Sequence, residues 1–113
     1  MNRPPGELIK LGAAGRWALA AAELAEDSGW RVRALVNNLS PEDLHLSDCA
    51  YPVYHLAELP PELRALPAFC CLTTPQYRRR LVEEAAQQGV RTYARLIHRT
   101  AYVARSAALG DGV

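Results

Sequence analysis

Along this chain the spacing of apolar positions switches repeatedly between two and about 3.6, and the switches predict the elements. Glu7 to Leu11 is a short apolar run and reads as a first strand. A helix follows from Arg16 to Ser28, nearly continuous in Ala and Leu until Glu23, Glu26 and Asp27, with Gly29 suited to its C-terminal cap. Trp30 to Val36 alternates and then turns apolar, which predicts a second strand near an edge of the sheet. Ser40-Pro41-Glu42-Asp43 is a good helix start, but only a turn or so is available before Cys49-Ala50-Tyr51-Pro52. Val53-Tyr54 is expected to add a short third strand. Leu56, Leu59, Leu63 and Leu66 keep helical spacing, and Pro60-Pro61 splits that helix into two short pieces. Ala68 to Leu72 reads as a strand buried on both faces. Thr74 as cap and Pro75 at the first helical position open a helix that ends near Gln88 before Gly89, and Tyr93 to Ile97 is a last strand. This order argues for an α/β fold, a Rossmann-like parallel sheet flanked by helices.

After His98 the spacing changes again. Ala101, Ala107 and Val113 stand six apart, as do Val103 and Leu109, with turn residues in Gly110-Asp111-Gly112. A period of six with small and aliphatic positions is that of a β-helix coil. Two coils bury too little to stand alone, so the segment reads as an unfinished repeat. The expected division is therefore a Rossmann-like α/β domain over 1–97 and the start of a β-helix over 98–113.

Composition narrows the function classes. At 113 residues the chain is one domain or little more, half hydrophobic and 22% charged, as in ordinary soluble proteins. A net charge of +1 offers no electrostatic case for nucleic acid. No apolar run approaches the ~20 residues that span a bilayer, and Met1 to Gly6 lacks the apolar core of a secretion signal. Three cysteines, two of them adjacent at Cys70 and Cys71, make no disulfide framework and lack C-x-x-C spacing. Small buried thiols in the cytoplasm are expected, and no metal site.

The chemistry-bearing stretch is Gly12-Ala13-Ala14-Gly15-Arg16, between the first strand and the first helix. Two glycines there allow a sharp turn and close approach of the backbone, and a helix N-terminus offers free N–H groups to a phosphate. An ordinary strand–turn–helix without a ligand fits those residues equally well. Asn37-Asn38 and Thr73-Thr74 lie where ligand-facing loops of parallel sheets lie, since Asn can bond a base or ribose and Thr a phosphate. A nicotinamide site needs G-x-G-x-x-G and an acid ~20 residues on. Ala14 stands at the middle glycine and Asn37 at the acid, which argues against that cofactor. Cys70 and Cys71 on a central strand are poor nucleophiles. His45 and His55 sit in loop-like segments without a paired acid; Arg78 to Arg80 could reach an anionic ligand from the start of their helix, but a solvated face paired with Glu83 and Glu84 is the commoner outcome.

Taken together these segments resemble the N-terminal domain of the NeuD/PglD-type sugar acetyltransferases, a hexapeptide-repeat acyltransferase family of bacterial sialic acid and bacillosamine pathways. The resemblance is carried by Gly12-Ala13-Ala14-Gly15, Pro52-Val53, Arg78-Arg79-Arg80-Leu81 and, most specifically, Ile97 to Val113, in matching order and spacing. It implies over 1–97 a UDP-sugar-binding domain whose ligand meets Gly12, Ala13, Ala14, Gly15, Arg16, Asn37, Asn38, Thr73 and Thr74, and over 98–113 the start of a left-handed β-helix. Acetyl-coenzyme A and the general-base histidine of that family belong to further coils, so the resemblance implies neither a catalytic residue nor a cofactor within these 113 residues. His98 matches the junction histidine and not the base. A complete β-helix implies a trimer; no nucleic-acid or membrane partner is implied. Arg16-Trp17 stands where the family has His-Gly, Asn37-Asn38 where it has an acidic pair, and Leu72-Thr73-Thr74 where it has an Ile-Gly-Asn/Asp turn. The alternative these departures favour is a non-catalytic binding or assembly module that keeps the fold and has lost the sugar site.

Overall fold

Each predicted apolar block except the last becomes a strand, and the strands share one direction. The computed structural model describes residues 6–13, 18–39 and 50–113. The order is β1 (Gly6–Leu11), α1 (Ala18–Asp27), β2 (Trp30–Asn37), β3 (Val53–His55), a single 3-10 turn (Leu56–Glu58), α2 (Pro61–Arg64), β4 (Ala68–Cys70) and α3 (Pro75–Gln87). The expected helix start at Ser40, together with His45 and Cys49, lies outside the described residues.

The sheet is all parallel in the order β3-β2-β1-β4. The second strand lies next to the edge, as its early alternation suggests: β3 covers only Leu35 to Asn37, and among the described residues Trp30 to Ala34 have no strand on that side. One sequence expectation is corrected by that order. Cys70 lies on the outermost named strand, with only an isolated bridge from Ala68 to Tyr93 beyond it. The thiols of Cys70 and Cys71 are accordingly half-buried and not sealed in a central strand. The expected last strand contracts to that one bridge.

Alternating side chains send apolar groups to both faces, as parallel sheets require. On one face Ile9, Leu11, Ala34 and Val36 pack with Leu81 and Ala85 of α3 and with Leu56, Leu59 and Leu63. On the other, Leu8, Val32, Leu35 and Phe69 pack with Ala22 and Ala25 of α1. A register shift between β1 and β2 makes this possible: Leu8 faces Val32 but Ile9 faces Ala34, so Arg33 is an extra residue. Without it, Val32 and Ala34 would fall on the same face. Arg33 instead pairs with Glu7 at 3.0 Å, and Arg31 reaches the same carboxylate at 3.8 Å.

One charged side chain enters the interior. Lys10, in the middle of β1, is fully buried, and its Nζ donates to the carbonyl of Gly12 two residues on. Among the described residues no carboxylate pairs with it.

Beyond Val90 the chain forms no regular helix or strand. Turns recur at 99–100, 105–106 and 111–112, six residues apart. Ala101 N–H donates to His98 C=O and Ala107 N–H to Ala104 C=O, and Leu96 N–H meets Val113 C=O at 2.7 Å. Arg95 and Asp111 pair alongside at 3.1 Å. Among the described residues, no helix is long and apolar enough to cross a membrane.

Candidate functional site

From β1 the chain runs through β2 to β3 on one side, then returns to lay β4 on the other side of β1. Strand order therefore reverses between β1 and β4, and the carboxyl ends of parallel strands open a crevice at such a point. A cavity of about 330 Å³ occupies it. Gly12 and Ala13 line it from the end of β1, Asn37, Asn38 and Leu39 from the end of β2, and Leu72 from beyond β4. Tyr77, Arg80 and Leu81 cover it from α3. The volume suits a small molecule, and the mostly apolar wall with a few polar groups is that of a ligand pocket.

Gly12 lines this space with a backbone that only glycine suits. Its φ is +103°, and a β-carbon there would stand 3.1 Å from Leu72 Cδ2 and 3.2 Å from Cys71 Sγ. The glycine is needed for both reasons. Its N–H donates to Val36 C=O at 2.7 Å, and its carbonyl accepts from Lys10 and, more loosely, from the Cys71 thiol at 3.8 Å. The end of β1 is thus pinned from three sides.

The two asparagines have different duties. Asn37 is buried; its Nδ2 donates to Tyr54 C=O at 3.2 Å and its Oδ1 accepts from Leu39 N–H at 2.9 Å. That side chain shapes the loop leaving β2. Asn38 is half-exposed and donates through Nδ2 to Glu84 Oε2 at 2.7 Å. Arg80 Nε donates to the other carboxylate oxygen, Oε1, at 3.0 Å. The Asn38 hydrogen bond is the largest influence on the Glu84 carboxyl and, with the Arg80 pairing, holds it below its ordinary range against the opposing push of burial.

Asn38 also lines a second cavity of about 370 Å³ with His55, Leu56, Ala57, Glu84, Gln87 and Gln88. His55 Nδ1 accepts from Ala57 N–H and so caps the 3-10 turn, which gives this loop histidine a structural partner. Asn38 is the residue that lines both cavities, and Glu84 lines the second.

Of the residues expected at the site, Gly12, Ala13, Asn37 and Asn38 come together around the first cavity. Thr73 and Thr74 are exposed and do not line it, and Thr74 caps α3 without a side-chain hydrogen bond. Ala14, Gly15 and Arg16 lie outside the described residues. Leu39, Leu72, Tyr77 and Leu81 join the wall without having been singled out as ligand residues, and Arg80 comes to it from the arginine run that could reach an anionic ligand. The signal for Arg80 was its i,i+4 spacing to Glu84; nothing local points Asn38 at a residue 46 positions away.

The chain matches no family model, no curated protein and no solved structure. Its function therefore has to be argued from the site. Among the described residues no group of three or more His, Cys, Asp or Glu could hold a metal ion. Two other polar groups sit apart from the cavity wall. Burial pushes the Cys70 thiol up, and burial and then Cys70 push the Tyr93 phenol up. The buried Tyr93 hydroxyl has no hydrogen-bond partner among the described residues. These groups carry no acid–base pairing that would suit catalysis.

Proposed function

We propose that this chain is a nucleotide-binding domain of the UDP-sugar class, using the crevice at the carboxyl ends of β1 and β2. The observation that carries the reading is the cavity at the reversal of strand order, with Gly12 backbone on one side and Tyr77 and Arg80 on the other. A mononucleotide-sized ligand with an aromatic base and an anionic tail matches that wall. The resemblance to sugar acetyltransferases adds the sugar. The six-residue turn spacing and the Leu96–Val113 hydrogen bond support reading residues 98–113 as the first part of a left-handed β-helix. Strands of such a repeat form by pairing with neighbouring coils, which an unfinished repeat offers too few of. A cytoplasmic setting agrees with the free thiols. No step of acyl transfer is assigned to residues of this chain, and acetyl-coenzyme A would be bound by further coils.

One observation favours the second reading, a binding or assembly module without a sugar site. Asn37, which takes the place of an acid in the resembled pattern, spends its amide on Tyr54 and Leu39 and is only 2% exposed. Calorimetric titration of the purified chain with UDP-N-acetylglucosamine, UDP and NAD decides between them. Saturable binding of the uridine ligands with none of NAD supports the nucleotide-sugar reading. Binding of none of the three leaves the module, and tighter binding of NAD overturns the ranking.

A further inference from the structure

We propose that Arg80 is the anion anchor of the cavity, presented by Asn38 and Glu84, so that the ligand's phosphate is read from α3 as well as from the β1 turn. The inference rests on the nucleotide reading and goes on to name the group that selects the charged ligand. Among the described residues, Arg80 is the one charged group lining the first cavity. Its Nε is taken by Glu84 Oε1, and its two terminal nitrogens have no partner among the described residues. Glu84 is itself held from across the crevice by Asn38 Nδ2, so the guanidinium is tied through one carboxylate to the end of β2.

A planar guanidinium anchored through Nε keeps four N–H groups in a fixed fork, the geometry that meets two phosphate oxygens at once. A lysine at this place would offer a point charge on a free stem. Tyr77 lies one helical turn before Arg80 on the same wall and is 64% exposed, available to an aromatic base. The buried cation of the sheet, Lys10, uses Gly12 C=O. Asn38 is a positioning residue here: its Nδ2 donates to the carboxylate that orients the arginine.

The test compares uridine, UDP and inorganic pyrophosphate on the full chain and on Arg80→Gln, Arg80→Lys, Asn38→Ala and Asn38→Asp. Arg80 is exposed enough for these changes to leave the fold intact, which circular dichroism checks. UDP is expected to bind the unaltered chain at least tenfold tighter than uridine. Arg80→Gln is expected to lose roughly 10- to 100-fold in UDP affinity with uridine unchanged, the range for a charge-assisted bidentate contact. Arg80→Lys recovers part of it. Asn38→Ala weakens UDP a few-fold and shifts the Arg80 Nε–H resonance, and Asn38→Asp, which sets two carboxylates together, weakens UDP further. Arg80→Gln binding UDP as well as the unaltered chain overturns the anchor while leaving the nucleotide reading standing. Failure of UDP, uridine and pyrophosphate alike to bind the unaltered chain overturns both.

Discussion

Replacing Gly12 with alanine is expected to destabilise the fold through two effects that a control can separate. The backbone there has φ +103°, a region in which an L side chain costs about 1–3 kcal/mol. The new methyl would also stand 3.1 Å from Leu72 Cδ2 and 3.2 Å from Cys71 Sγ. Leu72 can yield by a few tenths of an ångström toward the cavity, but Cys71 is held by its contacts to the Leu11 and Gly12 carbonyls, so overpacking adds about 1 kcal/mol. The sum is about 2–4 kcal/mol, a large share of the stability of a domain this size. At about 4–8 °C per kcal/mol it lowers Tm by roughly 10–30 °C. Gly29, with φ +91° and nothing within 4 Å of an added methyl, carries the backbone cost alone. Urea unfolding of Gly12→Ala and Gly29→Ala, followed by tryptophan fluorescence with m-values compared, measures the difference. Equal losses in the two variants would refute the packing part of the reasoning. A loss under about 0.5 kcal/mol at Gly12 would refute the backbone part as well.

Three further changes follow from the interior and the site. Lys10→Met, which removes a fully buried ammonium with a single acceptor, is expected to leave stability unchanged or raise it by up to about 2 kcal/mol; a drop above about 1 kcal/mol on urea unfolding would show that the Gly12 contact matters more than the buried charge. Tyr93→Phe deletes a buried hydroxyl that lacks a partner among the described residues, so Tm should rise, by the equivalent of about 1 kcal/mol, and a fall would mean the hydroxyl is satisfied in solution. Because Glu84 is held below its ordinary 4.5, the folded chain binds that proton less readily than the unfolded one, so its contribution is present above that value and fades as pH falls through the folded value. The stability gap between the unaltered chain and Asn38→Ala should therefore narrow on going from about pH 7 to about pH 3, and a constant gap would exclude Glu84 as the source.

How much of this was legible depends on whether the cause is local. Leu8 to Leu11, interrupted only by Lys10, and Ala34 to Val36 announce strands because a sheet covered on both sides needs near-continuous apolar runs, and Pro75 and Gly89 bracket α3 by their own backbone limits. The edge position of β4 was not legible. Ala68-Phe69-Cys70 has the composition of a central strand, and its actual place depends on which way the chain crosses over after Arg64. At the site, Gly12, Asn37 and Asn38 could be marked from strand ends alone. Tyr77 and Arg80 could not be placed on the wall, because α3 reaches the cavity only once β4 has been laid beside β1. The different duties of Asn37 and Asn38 come from tertiary partners, Tyr54 and Glu84, that no spacing rule connects to them.

The extra residue at Arg33 sets the phase of everything downstream of it in β2. Counting two by two from Trp30 without the shift would exchange the directions of Asn37 and Asn38, sending the loop-forming amide toward Glu84 and the site amide into the interior. Deleting Arg33 would instead leave a regular ladder in which Val32 and Ala34 still face opposite ways, so both halves keep their faces and only the Arg33–Glu7 pair is lost. For the same reason, a related chain compared with this one position by position needs a one-residue gap allowed at 33. Matched without it, the right asparagine would be read on the wrong side of the sheet.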